Sequence, residues 1–275
     1  MRILLINLDR QPERLSHMRS QLDKLGLAYE RVAAIDKYAL TSADLPANST
    51  MTPGELACAC SHFACWTRAL ECGDDEVLIL EDDVFIAPQL TDVLAAHAPL
   101  PADAHLVRFE TRRQRVQLDN HYHAYSEGIA LRRMYSAHPG TAGYVITRKG
   151  AKRLLAERWR YDHALDGALF EPKSALFHEL VVYQCDPGLV IQADVLETRA
   201  LPAYLRSDLE AERITRKAPR IAGALPYTLD KLDSFAKDVR KFVQNRCLSR
   251  LRGRHMRRIE FAGTNRRTPI AAAAE

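Results

Sequence analysis

The chain has 275 residues, 47% of them hydrophobic and 27% charged, which suffices for one large α/β domain or a domain with an appendage and excludes overall disorder. The formal net charge of +4 conceals a division: residues 213–267 hold 16 Lys and Arg against 4 Asp and Glu, a net of +12 that leaves −8 for the rest. An acidic body without aromatic residues interleaved at regular spacing argues against a specific nucleic-acid surface.

In chain order, Ile3-Leu4-Leu5-Ile6 reads as a short strand that ends in Asn7-Leu8-Asp9-Arg10. A helix follows with Leu15, Met18, Leu22 and Leu25 on one face and Gly26 placed to end it. Residues 29–35 form a second strand, so the chain opens β-α-β, with neither a Gly-x-Gly-x-x-Gly turn nor a Walker loop. Thr52-Pro53-Gly54-Glu55 is a capping box that starts a helix running to about Glu71, before Gly73. His62 on that helix could face a site, although a packed structural role is the more frequent one for a lone helical histidine.

Val77-Leu78-Ile79-Leu80 then reads as a strand buried on both faces of a parallel sheet, and Glu81-Asp82-Asp83 stand at its carboxyl end, where open α/β sheets bind ligands. Three adjacent acids repel one another and are costly in a sheet interior unless a cation or strong donors compensate them. Mg²⁺ or Mn²⁺ suits such an oxygen-rich cluster; a solvated acidic turn is the competing reading. Residues 104–109 form another strand, 110–135 a loop or hairpin, and 139–144 a small-residue segment leading through Val145-Ile146 to a helix from 149 to about 158. Residues 187–191 read as the last core strand.

The six cysteines match no zinc-ribbon spacing; Cys58, Cys65 and Cys72 recur every seven residues and are expected along one buried helix face, as thiols of a reducing compartment. The amino-terminal apolar stretch is too short for a signal peptide and no segment reaches membrane-span length, so a cytoplasmic location is expected. Residues 1–205 are expected to form a catalytic domain and 206–275 a basic, mostly helical extension. There Leu232, Phe235, Val239, Phe242 and Val243 recur at helical spacing among Lys231, Lys237, Arg240, Lys241 and Arg246, in a pattern continuing into Arg250, Arg252, Arg254, Arg257 and Arg258. Such a helix would bind an anionic membrane surface, at about 1 kcal/mol per basic residue, or pack against the catalytic domain.

Taken together, Ile6-Asn7-Leu8-Asp9-Arg10 with Arg14, residues 30–36, Met51-Thr52-Pro53-Gly54-Glu55 through Ser61-His62, residues 78–84, Gly140-Thr141-Ala142-Gly143-Tyr144-Val145-Ile146 and the later Asp166 resemble glycosyltransferase family 25, the bacterial lipooligosaccharide galactosyltransferases and their collagen-modifying relatives. Lys37 departs from the pattern, which usually has Gly after the residue matching Asp36. The resemblance implies a GT-A type sheet flanked by helices and metal-assisted transfer of a sugar, most often galactose, from a UDP-sugar to a glycan hydroxyl. A lipid-linked acceptor would place the enzyme on the cytoplasmic face of an inner membrane. It implies Glu81, Asp82 and Asp83 as the metal site, and Asn7, Arg10, Arg14, Asp36, Thr141, Gly143 and Tyr144 on the nucleotide-sugar side. Asp166 is implied as the general base, with a helix N-cap as its competing role. A metal-dependent phosphohydrolase of nucleotide-sugars, or a non-catalytic nucleic-acid binder acting through the tail, are the alternatives from other classes.

Overall fold

The computed structural model describes residues 1–40, 51–157, 163–196, 202–205 and 252–264. The chain opens with β1 (Arg2–Asn7), α1 (Pro12–Lys24) and β2 (Glu30–Ala33), followed by α2 (Pro53–Glu71) and β3 (Glu76–Leu80). β4 (Val84–Ile86), α3 (Gln89–Ala96) and β5 (Leu106–Arg108) come next. The segment read as a loop or hairpin contains β6 (Arg115–Asp119) and the pair β7 (His123–Ser126) and β8 (Ile129–Arg133). Then come β9 (Gly143–Thr147), α4 (Arg148–Ala156), α5 (Leu165–Phe170), α6 (Ala175–Glu179), β10 (Val182–Asp186), β11 (Val190–Gln192) and β12 (Arg254–Arg258).

Eight strands form the central sheet in the order β2-β1-β3-β9-β5-β10-β8-β7. β1 lies parallel to β2 and β3, and β5 parallel to β10, but β9 runs antiparallel between β3 and β5. The sheet is therefore mixed, which corrects the parallel sheet expected around β3. An apolar run records burial on both faces, and that burial is present whatever the direction of the neighbouring strand. Along β1 and β3 the side chains alternate between two cores: Ile3, Leu5, Leu78 and Leu80 meet Met18 and Leu22 of α1, while Leu4, Ile6, Val77 and Ile79 meet Trp66 of α2 and Leu154 of α4. Each such side chain contributes about 1.5–3 kcal/mol of burial. The mixed α/β architecture with flanking helices is as expected.

The helix starts follow their capping chemistry. Thr52 Oγ1 accepts from the Glu55 amide at 3.2 Å and Glu55 Oε2 accepts from the Thr52 amide at 2.9 Å, closing the box that begins α2. Gly26, at φ +65°, follows α1 in the left-handed turn that glycine adopts without strain.

The carboxyl-terminal segment requires a correction. Arg254, Arg257 and Arg258, expected to extend a basic helix, lie on β12, which pairs antiparallel with β6 from Arg254 opposite Asp119 to Arg258 opposite Arg115. Beyond it Ile259 and Phe261 are buried in the two cores, and the Gly188 amide donates to the Glu260 carbonyl at 2.8 Å. The apolar positions of the expected helix, 232–243, lie outside the described residues.

Candidate active site

Because β1 and β3 run parallel with Leu5 opposite Leu80, their carboxyl ends deliver Asn7 and Glu81-Asp82-Asp83 to the same edge of the sheet. The first turns of α1 and α2 flank that edge. Together they enclose a cleft with about 770 Å³ of empty space, open to solvent, on whose walls lie Asn7, Arg10, Arg14, His62 and all three acids.

Each acid is held differently. Asp82 is clamped on both oxygens: Asn7 Nδ2 donates to Oδ2 at 2.7 Å and Arg14 Nη1 to Oδ1 at 3.2 Å. Arg31 Nε donates to Asn7 Oδ1 at 2.9 Å, which fixes the orientation of the amide, and Arg14 Nε donates to the Tyr204 carbonyl at 2.6 Å. Burial raises the Asp82 pKa against the pull of Arg14 and Asn7. Glu81 Oε1 accepts from Thr141 Oγ1 at 2.7 Å and faces His62 Nε2 at 3.2 Å. Burial alone would raise Glu81, but His62, Thr141 and Arg14 outweigh it and hold the carboxyl below its ordinary value.

Asp83 has the opposite character. It is buried, its Oδ1 has no hydrogen-bond partner, and desolvation together with Glu81 and Asp82 pushes its pKa well above the carboxylate range, with Arg14 opposing. An orphaned carboxylate oxygen in a cleft beside two other acids is the donor set that a hard divalent cation fits.

Behind Glu81 a polar chain runs into the core. Trp66 Nε1 donates to the Tyr144 hydroxyl at 2.7 Å, and that hydroxyl lies 2.9 Å from His62 Nδ1. With the oxygen accepting from Trp66, its own proton goes to His62 Nδ1, so Nε2–H donates to Glu81. His62 is thus both packed, fully buried on α2, and directed at the site.

At the rim, Arg10 Nε donates to Asp36 Oδ2 at 2.7 Å, and Asp36 also accepts from the Tyr38 amide at 3.1 Å. Burial opposes these contacts at Asp36, yet its pKa is lowered. Lys37 has none of the left-handed backbone that would call for glycine, so the departure at this position is absorbed without strain.

The remaining predicted residues stand apart from the cleft wall. Tyr144 is buried behind His62, and Gly143 is packed so closely that a Cβ there would lie 2.7 Å from Val190 Cγ1. Asp166 sits in the first turn of α5, where Oδ1 accepts from the Gly167 amide at 3.0 Å, and it feels the charge of Arg108. Cys58 and Cys72 are only partly buried, unlike Cys65, and Cys58 faces the cleft, so the expected buried cysteine stripe is not continuous. Cys58 and Ser61, cleft residues that sequence reasoning did not select, share the helix face of His62.

A buried pair was also missed. Arg108 donates to the carbonyls of Gly140 at 2.7 Å and Pro139 at 3.1 Å, and Glu110 Oε2 accepts from the Ala142 amide at 2.9 Å and from Arg108 at 3.4 Å. These contacts hold the loop that presents Thr141. The only signal in the sequence was an arginine and a glutamate flanking an apolar strand residue, Phe109.

The chain matches glycosyltransferase family 25 (LPS biosynthesis protein) over residues 1–168. It is 32% identical over 173 residues to a glycosyltransferase 25 family member of Aedes aegypti, in a match that spans 57% of this chain and 28% of that protein. It is 29% identical over 222 residues to the lacto-N-neotetraose biosynthesis glycosyltransferase LgtE of Neisseria meningitidis serogroup B, covering 74% of this chain and 77% of that one. Among solved structures, a glycosyltransferase involved in glycosylation of the major capsid of PBCV-1 aligns at a TM-score of 0.40 and 10% identity, over 78% of this chain and 98% of that one.

Proposed function

This chain belongs to glycosyltransferase family 25, and from that premise we propose that it moves galactose from a UDP-sugar to a hydroxyl of a lipooligosaccharide-type glycan. The observation that carries the reading is the acidic triplet at the sheet edge, in which all three acids line the cleft and Asp83 Oδ1 has no hydrogen-bond partner. The choice of acceptor class rests on the bacterial relatives, among them a lipooligosaccharide biosynthesis protein of Haemophilus influenzae.

Glu81, Asp82 and Asp83 would hold Mn²⁺ or Mg²⁺, which when bound neutralises charge on the departing diphosphate. The protein groups supply position. Arg14 and Asn7 lock Asp82, while Thr141 and His62 lock Glu81. Arg10, tethered by Asp36 at the rim, is placed to meet diphosphate oxygens. Single displacement also needs a base for the acceptor proton. We assign Asp166, which is partly exposed; Glu110 has the better tuned carboxyl, at about 7, but is sealed from any acceptor at 0% exposure.

Residues 229–250, whose basic amphipathic pattern lies outside the described residues, are assigned to an anionic membrane surface that presents a lipid-linked acceptor. Among the described residues no helix is long and apolar enough to cross a membrane.

The test is thermal unfolding with a panel of UDP-sugars and Mn²⁺, alongside transfer assays. UDP-galactose should stabilise the wild type, by about 2.7 kcal/mol at a hundredfold excess over Kd. Asp83→Ala should abolish both protection and transfer without lowering the unfolding temperature, because it removes a mutually repelling acid. Asp166→Asn should keep protection and lose roughly 10²-fold in turnover. Undiminished transfer by Asp83→Ala, or sugar release that ignores the acceptor, would sink the reading, the second outcome in favour of a phosphohydrolase.

A further inference from the structure

The cleft wall carries a second donor set, of chemistry different from that of Asp82 and Asp83. Cys58 and His62 stand four residues apart on α2, hence on one face one turn apart, and Glu81 reaches them from the end of β3. A thiol sulfur, an imidazole nitrogen and a carboxylate oxygen there lie within 4.8 Å of one another. Donors around a single tetrahedral zinc, bound at about 2.0–2.3 Å, are separated by roughly 3.5 Å, so small side-chain rotations close the set. The Tyr144 hydroxyl at 2.9 Å from Nδ1 orients the ring and leaves Nε2 directed at Glu81, and a metal at Nε2 requires the other neutral tautomer, with the ring proton on Nδ1. Thiolate and imidazole select zinc over magnesium or manganese, which the all-oxygen pair Asp82 and Asp83 suits better.

We propose that Cys58, His62 and Glu81 form a Zn²⁺ site with its fourth position open to the cleft. On binding, the Cys58 thiol releases its proton to solvent, and the neutral His62 ring changes tautomer: Nε2 gives up its proton where the metal binds, Nδ1 gains one, and the Tyr144 hydroxyl turns so that its oxygen accepts from Nδ1–H. Affinity therefore rises with pH. The site shares Glu81 with the oxygen cluster, so the two kinds of ion compete for one carboxylate.

The experiment is titration of the chelator-stripped, full-length protein with Co²⁺ as a coloured stand-in for zinc. A sulfur-to-cobalt charge-transfer band in the near ultraviolet and tetrahedral visible bands are expected, both displaced by Zn²⁺. Cys58→Ser should lose the near-ultraviolet band and bind Zn²⁺ at least about tenfold more weakly, and His62→Gln should weaken Zn²⁺ binding comparably; circular dichroism checks that both stay folded. Cys60→Ser, on the same helix, should keep the band. Asp83→Ala should keep it too while losing Mn²⁺ binding, which separates this site from the one in the sugar-transfer reading. Absence of the band in wild type, its persistence in Cys58→Ser, or its loss in Asp83→Ala would overturn the proposal. Absence of Mn²⁺ binding in a wild type that shows the band would count against the oxygen-metal assignment alone.

Discussion

Glu110 is fully buried, with Arg108 and the Ala142 amide on one oxygen and no hydrogen-bond partner on the other. Burial pushes its carboxyl up from 4.5 to about 7, against the pull of Arg108. An acid whose folded pKa is raised contributes its full stability below the unfolded value and loses it as pH rises through the folded one. The protein should therefore lose stability between about pH 4.5 and 7 on account of this group, by at most about 3 kcal/mol. Arg108, lowered to about 10, does not titrate in that window. Unfolding of Glu110→Gln measured across the range should show a shallower decline than wild type; parallel curves would mean that Glu110 stays ionised. Asp83 was legible from its place after an apolar run, since any carboxylate there needs compensation. Glu110 was not, because nothing local reveals that Phe109, Gly140 and Ala142 will seal it.

Between elements, β9 approaches β11 closely at Gly143. A methyl group there would meet Val190 Cβ at 2.8 Å as well as Cγ1, and Val190 is fully buried with nowhere to move. Gly143→Ala should cost about 1–3 kcal/mol, the usual scale of overpacking, seen as a lower unfolding temperature. An unchanged temperature would show that the sheet yields at that point. The helices α1 and α2 and the strands β1 and β3 were readable because their apolar periods match their burial. β10 was not: Val182-Tyr-Gln-Cys-Asp includes a glutamine and an aspartate, yet all five residues are buried. Its polar side chains draw on distant partners, Gln184 on His138 at 2.8 Å and Asp186 on Arg257 at 2.5 Å. The β12 arginines misled for a related reason, since their charge suggested a solvated helix while the pairing that makes them a strand lies some 140 residues away on β6.

For the whole molecule, the division of charge seen in the sequence has its structural counterpart in how the basic region is attached. Removing everything from about residue 227 onward would strip β12, Ile259 and Phe261 from the body, so truncation cannot test membrane binding. Charge must be changed in place. The full-length protein should co-sediment with anionic vesicles at low salt, and replacing Lys231, Lys237, Arg240, Lys241 and Arg246 together by Gln should release it while transfer to a soluble acceptor persists. Binding that survives the replacement would assign the attraction elsewhere.

Tyr204 and β12, which bracket residues 206–251 in the sequence, are each tied to the body, the first through its carbonyl on Arg14, the second through its ladder with β6. The described residues on either side of that stretch are thus both tied to the body. A single backbone cut within the stretch would yield two fragments that remain one folded particle, joined by strand pairing and a shared interior. Tyr204 also touches Arg14, which steadies Asp82, so a load applied at Tyr204 reaches the acidic triplet through the Arg14 side chain.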